Sequence, residues 1–519
     1  MALVRAAWGA ALFLLGLVSA AVAQDVTLTS RDGDVEISGD LLGFDGEFYR
    51  VDTVYGELTV DGSGVLCDGP GCPNLEDYVA RVTFSGAPTI GRVLMPALVQ
   101  AFAIRESYTL SRKALAKDRI RYVLVDGESG KTAGEFTFHM RRTDEGLADL
   151  LADEADIAMT LREVRPAEID RAREAGLGDL SDTNRSRVVA LDALVPVVAP
   201  SNPVQAVTTP QIARILSGEI VNWQDLGGPD APIAVHVWDA QTGPGQAIRD
   251  RLLAPPEREL IPAAERHADG AALAEAVAAD PFAFGVTTRS EMGDTWELAL
   301  HGRCGFGLRA TRRNVKTEDY PLTQPLFLYM PARRFPKLVR EFLTYLRDPS
   351  AQLVIRRAGF VDQAPEEIAI DAQGNRFANA IARAGADVDL DELQRMVARL
   401  APLKRLTTSF RFEAGSARLD AQSRSNVLQL ARAMEVGIYD TRRLVFVGFS
   451  DGEGPAAANR DIAMKRARNV RDAVTRAART ANLSRIGLEI AAFGEAMPMA
   501  CDDSAWGRQV NRRVEVWVR

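Results

Sequence analysis

Asp451, Asn459 and Arg466 are the residues whose types and spacing promise chemistry most directly. Between 459 and 479, Ala463, Ala467, Val470, Val474 and Ala477 recur at spacings of 4, 3, 4 and 3. That period predicts an amphipathic helix with this stripe buried. At about 100° per residue, Asn459 and Arg466 fall about 20° apart, inside or bordering the stripe. Polar groups turned toward a core need partners, because a buried unpaired charge costs on the order of several kcal/mol. Just upstream, an apolar strand over 444–449 runs into Ser450-Asp451-Gly452. Asp451 therefore stands at the mouth of the same β-α unit. Two readings stay open: Asp451 and Arg466 form an internal ion pair, or they hold a zwitterion, with an ammonium on Asp451 and a carboxylate on Arg466.

The same segment, Gly448-Phe449-Ser450-Asp451-Gly452, fits G-x-S-x-G, the turn that carries a hydrolase nucleophile. An α/β-hydrolase needs a His after that Ser. The four histidines, His139, His236, His267 and His301, all precede it. The nucleophile reading of Ser450 fails. No other nucleophile–base–orienter set assembles, and four His and four Cys leave little raw material for a metal site, so the chain reads as a non-enzyme without cofactor or metal.

A second group of polar residues lies at three predicted strand ends. Ser85-Gly86-Ala87-Pro88-Thr89-Ile90-Gly91 is a Gly-containing strand-to-helix turn, able to offer backbone N–H groups to an anion. Thr160 and Arg162 close a strand that begins at Asp156. Thr242 and Gly243 sit in the turn from Asp239 to Gly245. Three such turns point to a ligand cleft between two lobes.

The elements that must position these residues divide the chain. At 519 residues it is long enough for about three domains. Hydrophobic residues make up 47% and charged residues 25%, which excludes wholesale disorder and a fibrous chain. A net charge of −8 excludes nucleic acid as the partner of the whole chain. The charge is uneven: residues 404–519 carry 20 Lys+Arg against 13 Asp+Glu, a net of +7, and the remainder carries −15. A basic module on an acidic body suggests two different partners.

Residues 1–23 read as a signal peptide: Arg5, an apolar stretch over 6–18, and Ala21-Val22-Ala23 before a cut after Ala23. Residues 24–78 alternate in the β manner between Asp-Gly and Ser-Gly turns, predicting a small antiparallel module of SH3-like or Sm-like pattern. Within it Cys67-Asp-Gly-Pro-Gly-Cys72 predicts a short disulfide loop in an oxidising compartment. Cys304 and Cys501 either pair across two domains or stay separate thiols. Residues 79–362 alternate strands (188–198, 233–237, 282–287, 326–329) with helices (210–216, 335–347), the pattern of an α/β domain. Residues 363–403 read as a polar connector with one helix over 390–400, its stripe being Leu390, Leu393, Val397 and Leu400. Residues 404–519 read as β-α-β-α-β-β.

The C-terminal pattern resembles a known family. Gly448-Phe449-Ser450-Asp451-Gly452-x-Gly454, Asn459, Arg466-Ala467 and Asn511-Arg512-Arg513-Val514-Glu515-Val516 look like the OmpA C-terminal, peptidoglycan-associated family. Phe412-x-x-Gly415-Ser416, Phe493-Gly494-Glu495 and Gly507-Arg508 fit as well. The resemblance spans about 115 residues and implies an α+β domain. It also implies non-covalent binding of the diaminopimelate in the peptidoglycan stem peptide. Asp451 and Arg466 would carry that recognition, with Asn459 and Arg513 in support.

The central region resembles periplasmic solute-binding proteins of phosphate ABC transporters. The stretch from Ser201-Asn202-Pro203-Val204 through Leu216-Ser217-Gly218-Glu219-Ile220-Val221-Asn222-Trp223 to Leu226-Gly227-Gly228 carries this most clearly. Asp319-Tyr320-Pro321-Leu322 and Leu326-Phe327-Leu328-Tyr329 extend it. It implies a two-lobed periplasmic-binding fold of type 2 closing on phosphate or a related anion, and a transporter permease as partner. The matching contact positions are Ala87, Thr89, Thr160, Arg162, Thr242 and Gly243. Ala87, Pro88 and Gly245 depart from that pattern, and Pro88 lacks an N–H donor.

Together these features describe a periplasmic protein associated with the cell wall and outer membrane. In one reading it is a wall-tethered receptor for an anion. In the other it is a structural envelope protein whose solute-binding fold has lost its ligand.

Overall fold

The computed structural model describes residues 25–519 except 76–77, 183, 255–256, 303–306, 386–387, 414–415, 417 and 503–504, and only the backbone of 505–506. The signal-peptide segment and Cys304 lie outside the described residues. No described helix is long and apolar enough to cross a membrane.

The chain forms two compact units. The first holds the N-terminal residues to Ala80 together with Arg334–Lys337. Its five-stranded sheet has the order Gly56–Asp61, Phe48–Thr53, Glu36–Phe44, Val26–Ser30, Val65–Asp68. All neighbours are antiparallel. Alternation puts Val26, Leu28, Tyr49 and Val51 into one small core. Cys67 and Cys72 are disulfide-bonded, with Cα atoms 5.8 Å apart. A core this small gains from a covalent staple. Arg334 lies over the Phe48 ring, 4.2 Å from its centroid, and donates to Glu47 at 3.0 Å.

The second unit contains the central and C-terminal regions together. Its larger sheet has eleven strands and serves two lobes. In the first lobe, Ala80–Gly86 and Ile157–Thr160 are parallel and adjoin the meander Tyr108–Ala116, Arg119–Asp126, Thr132–Met140. In the second, Glu265–His267, Ala234–Trp238 and Ala283–Thr288 run parallel. The strands Ser186–Val198 and Thr323–Tyr329 pair antiparallel and pass between the lobes. Both are near-continuous apolar runs because both of their faces are covered. Phe84, Phe102, Phe136 and Phe342 interlock under the first lobe, and Trp223 anchors the second, donating to the Phe282 carbonyl at 2.9 Å.

The C-terminal sheet has the order Glu367–Ile368, Lys404–Arg411, Arg513–Val518, Arg443–Gly448, Gly487–Ala492. Helices Ala421–Glu435 and Ala456–Ala477 cover one face, burying Ala467, Val470 and Val474. The segment read as a connector is part of this fold. Its strand Glu367–Ile368 joins the sheet, and helices Gly374–Ala382 and Leu390–Leu400 cover the other face. The buried stripe of Leu390–Leu400 also differs from the sequence reading. Leu390 and Val397 are exposed, and Glu392, Leu393, Met396 and Leu400 face inward. Met396 continues the 3-4 spacing as well as Val397 does, so periodicity alone left the face uncertain by one residue.

Charged groups join the central and C-terminal regions. Arg405 donates to Asp319 at 2.6 and 3.0 Å, both side chains buried. Lys316 pairs with Asp362 and Glu366, each at 2.7 Å.

Candidate functional site

At the C-terminal mouth, strand Arg443–Gly448 meets helix Ala456–Ala477 closely. A Cβ at Gly448 would lie 2.0 Å from the Ala463 carbonyl oxygen, so only glycine allows the approach. The chain then turns to present Asp451, which is 8% exposed. Arg512 donates to Asp451 at 2.7 Å. Arg466 stands half-buried on the helix with its guanidinium 5.2 Å from the Phe412 ring centroid. Among the described residues it forms no salt bridge, and its Nε has no hydrogen-bond partner. Burial, and then the neighbouring Arg512 cation, hold the Arg466 guanidinium below its ordinary value, while Asp451 acts the other way. A carboxylate placed here would relieve both effects.

Asn459 is buried and donates to Glu495 at 2.7 Å and to the Gly454 carbonyl at 3.3 Å. It ties the turn to the helix. Arg513, named from the sequence as a direct support, is fully buried instead. It donates to Glu515 at 2.7 Å and to the Met497 carbonyl at 2.9 Å, and stacks over Phe449. Arg512, in the bend just before strand Arg513–Val518, reaches the mouth, whereas Arg513, the first residue of that strand, turns into the core.

The three central turns also come together, but their polar groups are already used. Ala87 is buried and its N–H donates to the Met159 carbonyl at 2.9 Å. Thr89 is half-buried beside it. Thr160 is buried, its hydroxyl donating to the Arg162 carbonyl at 2.8 Å. The Arg162 guanidinium donates to Glu168 at 2.7 and 2.9 Å and to Asp144. Burial alone would lower the Arg162 value, but these two carboxylates outweigh it and the net shift is upward. Thr242 caps the turn, accepting from the Gly245 N–H at 3.1 Å and donating to the Asp239 carbonyl. Gly243 faces Leu161: a Cβ there would lie 2.5 Å from the Leu161 side chain. Arg142 to Gln241, and Arg165 to Asp250 at 3.4 Å, bridge the lobes.

With both sites in view, similarity to known proteins can be set against them. Residues 130–349 match the family profile of a PBP superfamily domain, and residues 411–512 match that of the OmpA family. The chain carries a PBP superfamily domain followed by an OmpA family domain. Over the former it is similar to "Phosphate-binding protein PstS" of Borreliella burgdorferi, 23% identical over 231 residues, or 43% of this chain and 78% of that protein. It is also similar to "Protein SphX" of Synechococcus elongatus, 27% identical over 232 residues, or 42% of this chain and 66% of that protein. A solved ABC-type phosphate transport receptor from Vibrio cholerae aligns with a TM-score of 0.41 at 20% identity, covering 54% of this chain and 99% of that one.

Sequence reasoning missed Arg512 in the OmpA family domain, and Asp144, Leu161 and Glu168 in the PBP superfamily domain. Arg512 was visible only as half of an Arg-Arg pair. Asp144 belongs to helix Thr143–Leu151, 18 residues before the arginine it engages, and no local pattern connects the two. Of Cys304 and Cys501, which the sequence left as a pair or as separate thiols, Cys304 lies outside the described residues and Cys501 is disulfide-bonded.

Proposed function

We propose that this is an exported cell-envelope protein that binds peptidoglycan non-covalently through its OmpA family domain. Diaminopimelate in the stem peptide is the group recognised. The observation that carries this reading is Arg466, a half-buried cation beside Asp451 that has no carboxylate among the described residues. Its carboxylate would come from the ligand, whose ammonium would compete with Arg512 for Asp451. Asn459 holds the turn and Arg513 acts through the core. The protein would sit in the periplasm, against the wall and the outer membrane, its signal peptide removed after Ala23. Sedimentation of the purified chain with isolated sacculi tests this, with Asp451→Ala and Arg466→Ala expected to stay in the supernatant. Both variants sedimenting like the parent would overturn it.

For the PBP superfamily domain we propose weak capture of phosphate or a related oxyanion at Arg162, Thr89, Thr160, Thr242 and the Ala87 and Gly243 backbone. The similarity to proteins named as phosphate-binding supports this. An ABC-transporter permease would then receive the ligand. A second reading, a structural body that has lost its ligand, is favoured by a specific observation: Asp144 and Glu168 already occupy Arg162. Calorimetry of the full chain with phosphate and sulfate separates the two. Heat that disappears in Arg162→Ala supports capture, and no heat with either anion supports the structural body.

A further inference from the structure

Two of the chain's four histidines meet on the edge of the larger sheet. Strands Ala234–Trp238 and Glu265–His267 are parallel, with His236 opposite Glu265 and Trp238 opposite His267. Side chains alternate along a strand, so His236, Glu265 and His267 share one face. His236 Nδ1 and His267 Nε2 are 3.1 Å apart. Glu265 carboxylate oxygens lie 3.7 Å from His236 Nδ1 and 3.8 Å from His267 Nε2. Both imidazoles are more than nine-tenths buried, whereas Glu265 is open to solvent.

We propose that His236, His267 and Glu265 bind a divalent transition-metal cation of the zinc class, leaving one coordination position toward solvent. Zinc sits about 2.0–2.2 Å from nitrogen and oxygen donors in a tetrahedral site, so the donors of one site are separated by about 3.3–3.5 Å. The two imidazole nitrogens, 3.1 Å apart, sit close to that edge, and one Glu265 oxygen lies 3.7 Å from His236 while the other lies 3.8 Å from His267, so rotation of this exposed side chain would bring a single oxygen to both. The donors are two imidazoles and one carboxylate, a set that suits zinc, copper or nickel better than magnesium or calcium. Two of the three are held on paired backbone inside the fold, so little ordering is needed on binding. Without a cation, the two facing ring nitrogens share a single proton as donor and acceptor; a cation takes that proton's place and draws Glu265 in. Asp280, which acts electrostatically on His236, adds negative charge nearby. The sequence argued against a metal because it holds so few histidines; folding concentrates half of them at one point.

The test uses the full, tag-free chain stripped with a chelator and titrated with zinc chloride or cobalt chloride. One equivalent of cobalt should bind with the intense visible bands of a tetrahedral site, and zinc should displace it. His236→Ala and His267→Ala should each weaken zinc binding at least about tenfold, since even losses in the outer shell of a metal site cost that much. A His139→Ala/His301→Ala double variant should bind like the parent. Zinc should also raise the melting temperature of the parent but not of either single variant, and circular dichroism of the metal-free variants reports whether they fold. Failure of the parent to bind a full equivalent, or equal binding by a folded His236→Ala chain, would overturn the proposal.

Discussion

Arg512 holds Asp451 at 2.7 Å, and Arg466 stands beside that pair over the Phe412 ring without a carboxylate of its own. Of these three groups two are cations and one is an anion. A ligand with a carboxylate and an ammonium on one carbon would satisfy Arg466 and exchange with Arg512 on Asp451. Replacing Arg466 by Ala should reduce sacculus binding at least tenfold, in line with about 1.5–3 kcal/mol for a charged hydrogen bond. Binding measured in raised salt completes the check: a specific pair persists, while attraction from the module's net +7 fades with screening over about 8 Å.

Arg513 is expected to behave differently from its neighbour. Arg513→Ala removes one of the cations around Glu515, which is fully buried and also engages Arg376 and Arg405. Breaking a buried pair from one side costs about 3–5 kcal/mol. Urea denaturation should show that loss, whereas Arg512→Ala should cost less, because Arg512 is itself partly exposed and the Arg466 cation remains near Asp451. Equal midpoints for Arg513→Ala and the parent would contradict the burial argument.

Glu318 gives a pH dependence with a defined sign. Burial, reinforced by the nearby Asp420 carboxylate, pushes it up from 4.5 to about 8. The folded state thus keeps a proton that the unfolded chain releases. Its contribution is complete below pH 4.5 and is lost as pH rises to about 8. Glu318→Gln, which mimics the protonated form, should flatten the fall in stability across this window. Thermal melts from pH 5 to about 8.5 would reveal it; an unchanged slope would remove Glu318 as the cause.

The cleft of the PBP superfamily domain should be recoverable by substitution. Asp144→Asn takes one of two carboxylates from Arg162 and should strengthen phosphate binding over the parent. Leu161→Gly should add room opposite Gly243. Calorimetry on the double variant reads both effects, and no gain over the parent would mean that the turns themselves do not form an anion site.

The residues that were legible in the sequence owe it to local rules. The buried stripe of helix Ala456–Ala477 follows from a 3.6 period, and the Cys67–Cys72 bridge from the four-residue Asp-Gly-Pro-Gly turn between the cysteines. Asp451 could be placed because a strand ended there. What was not legible depends on partners far away in the chain. Arg512 and Arg513 are adjacent, and only the position of Glu515 and Asp451 across the sheet decides which one turns inward. Ala87 and Thr160 were named as positions matching the family's anion contacts, but their hydrogen-bonding groups are spent on Met159 and Arg162. The meeting of His236 and His267 was hidden for the same reason: pairing of two short strands, invisible locally, joins them.

The buried contact of Arg405 with Asp319 has a consequence for how this chain can be taken apart. One charge belongs to the PBP superfamily domain and the other to strand Lys404–Arg411 of the C-terminal sheet. Cutting between them would strip Asp319 of its arginine partners and leave Arg405 with Glu515 alone, on surfaces shaped to be dry. The two halves are thus no longer interchangeable cassettes. A donor domain grafted in place of either would have to bring a matching opposite charge, so the fusion has become a single inherited object that can diverge only by paired change.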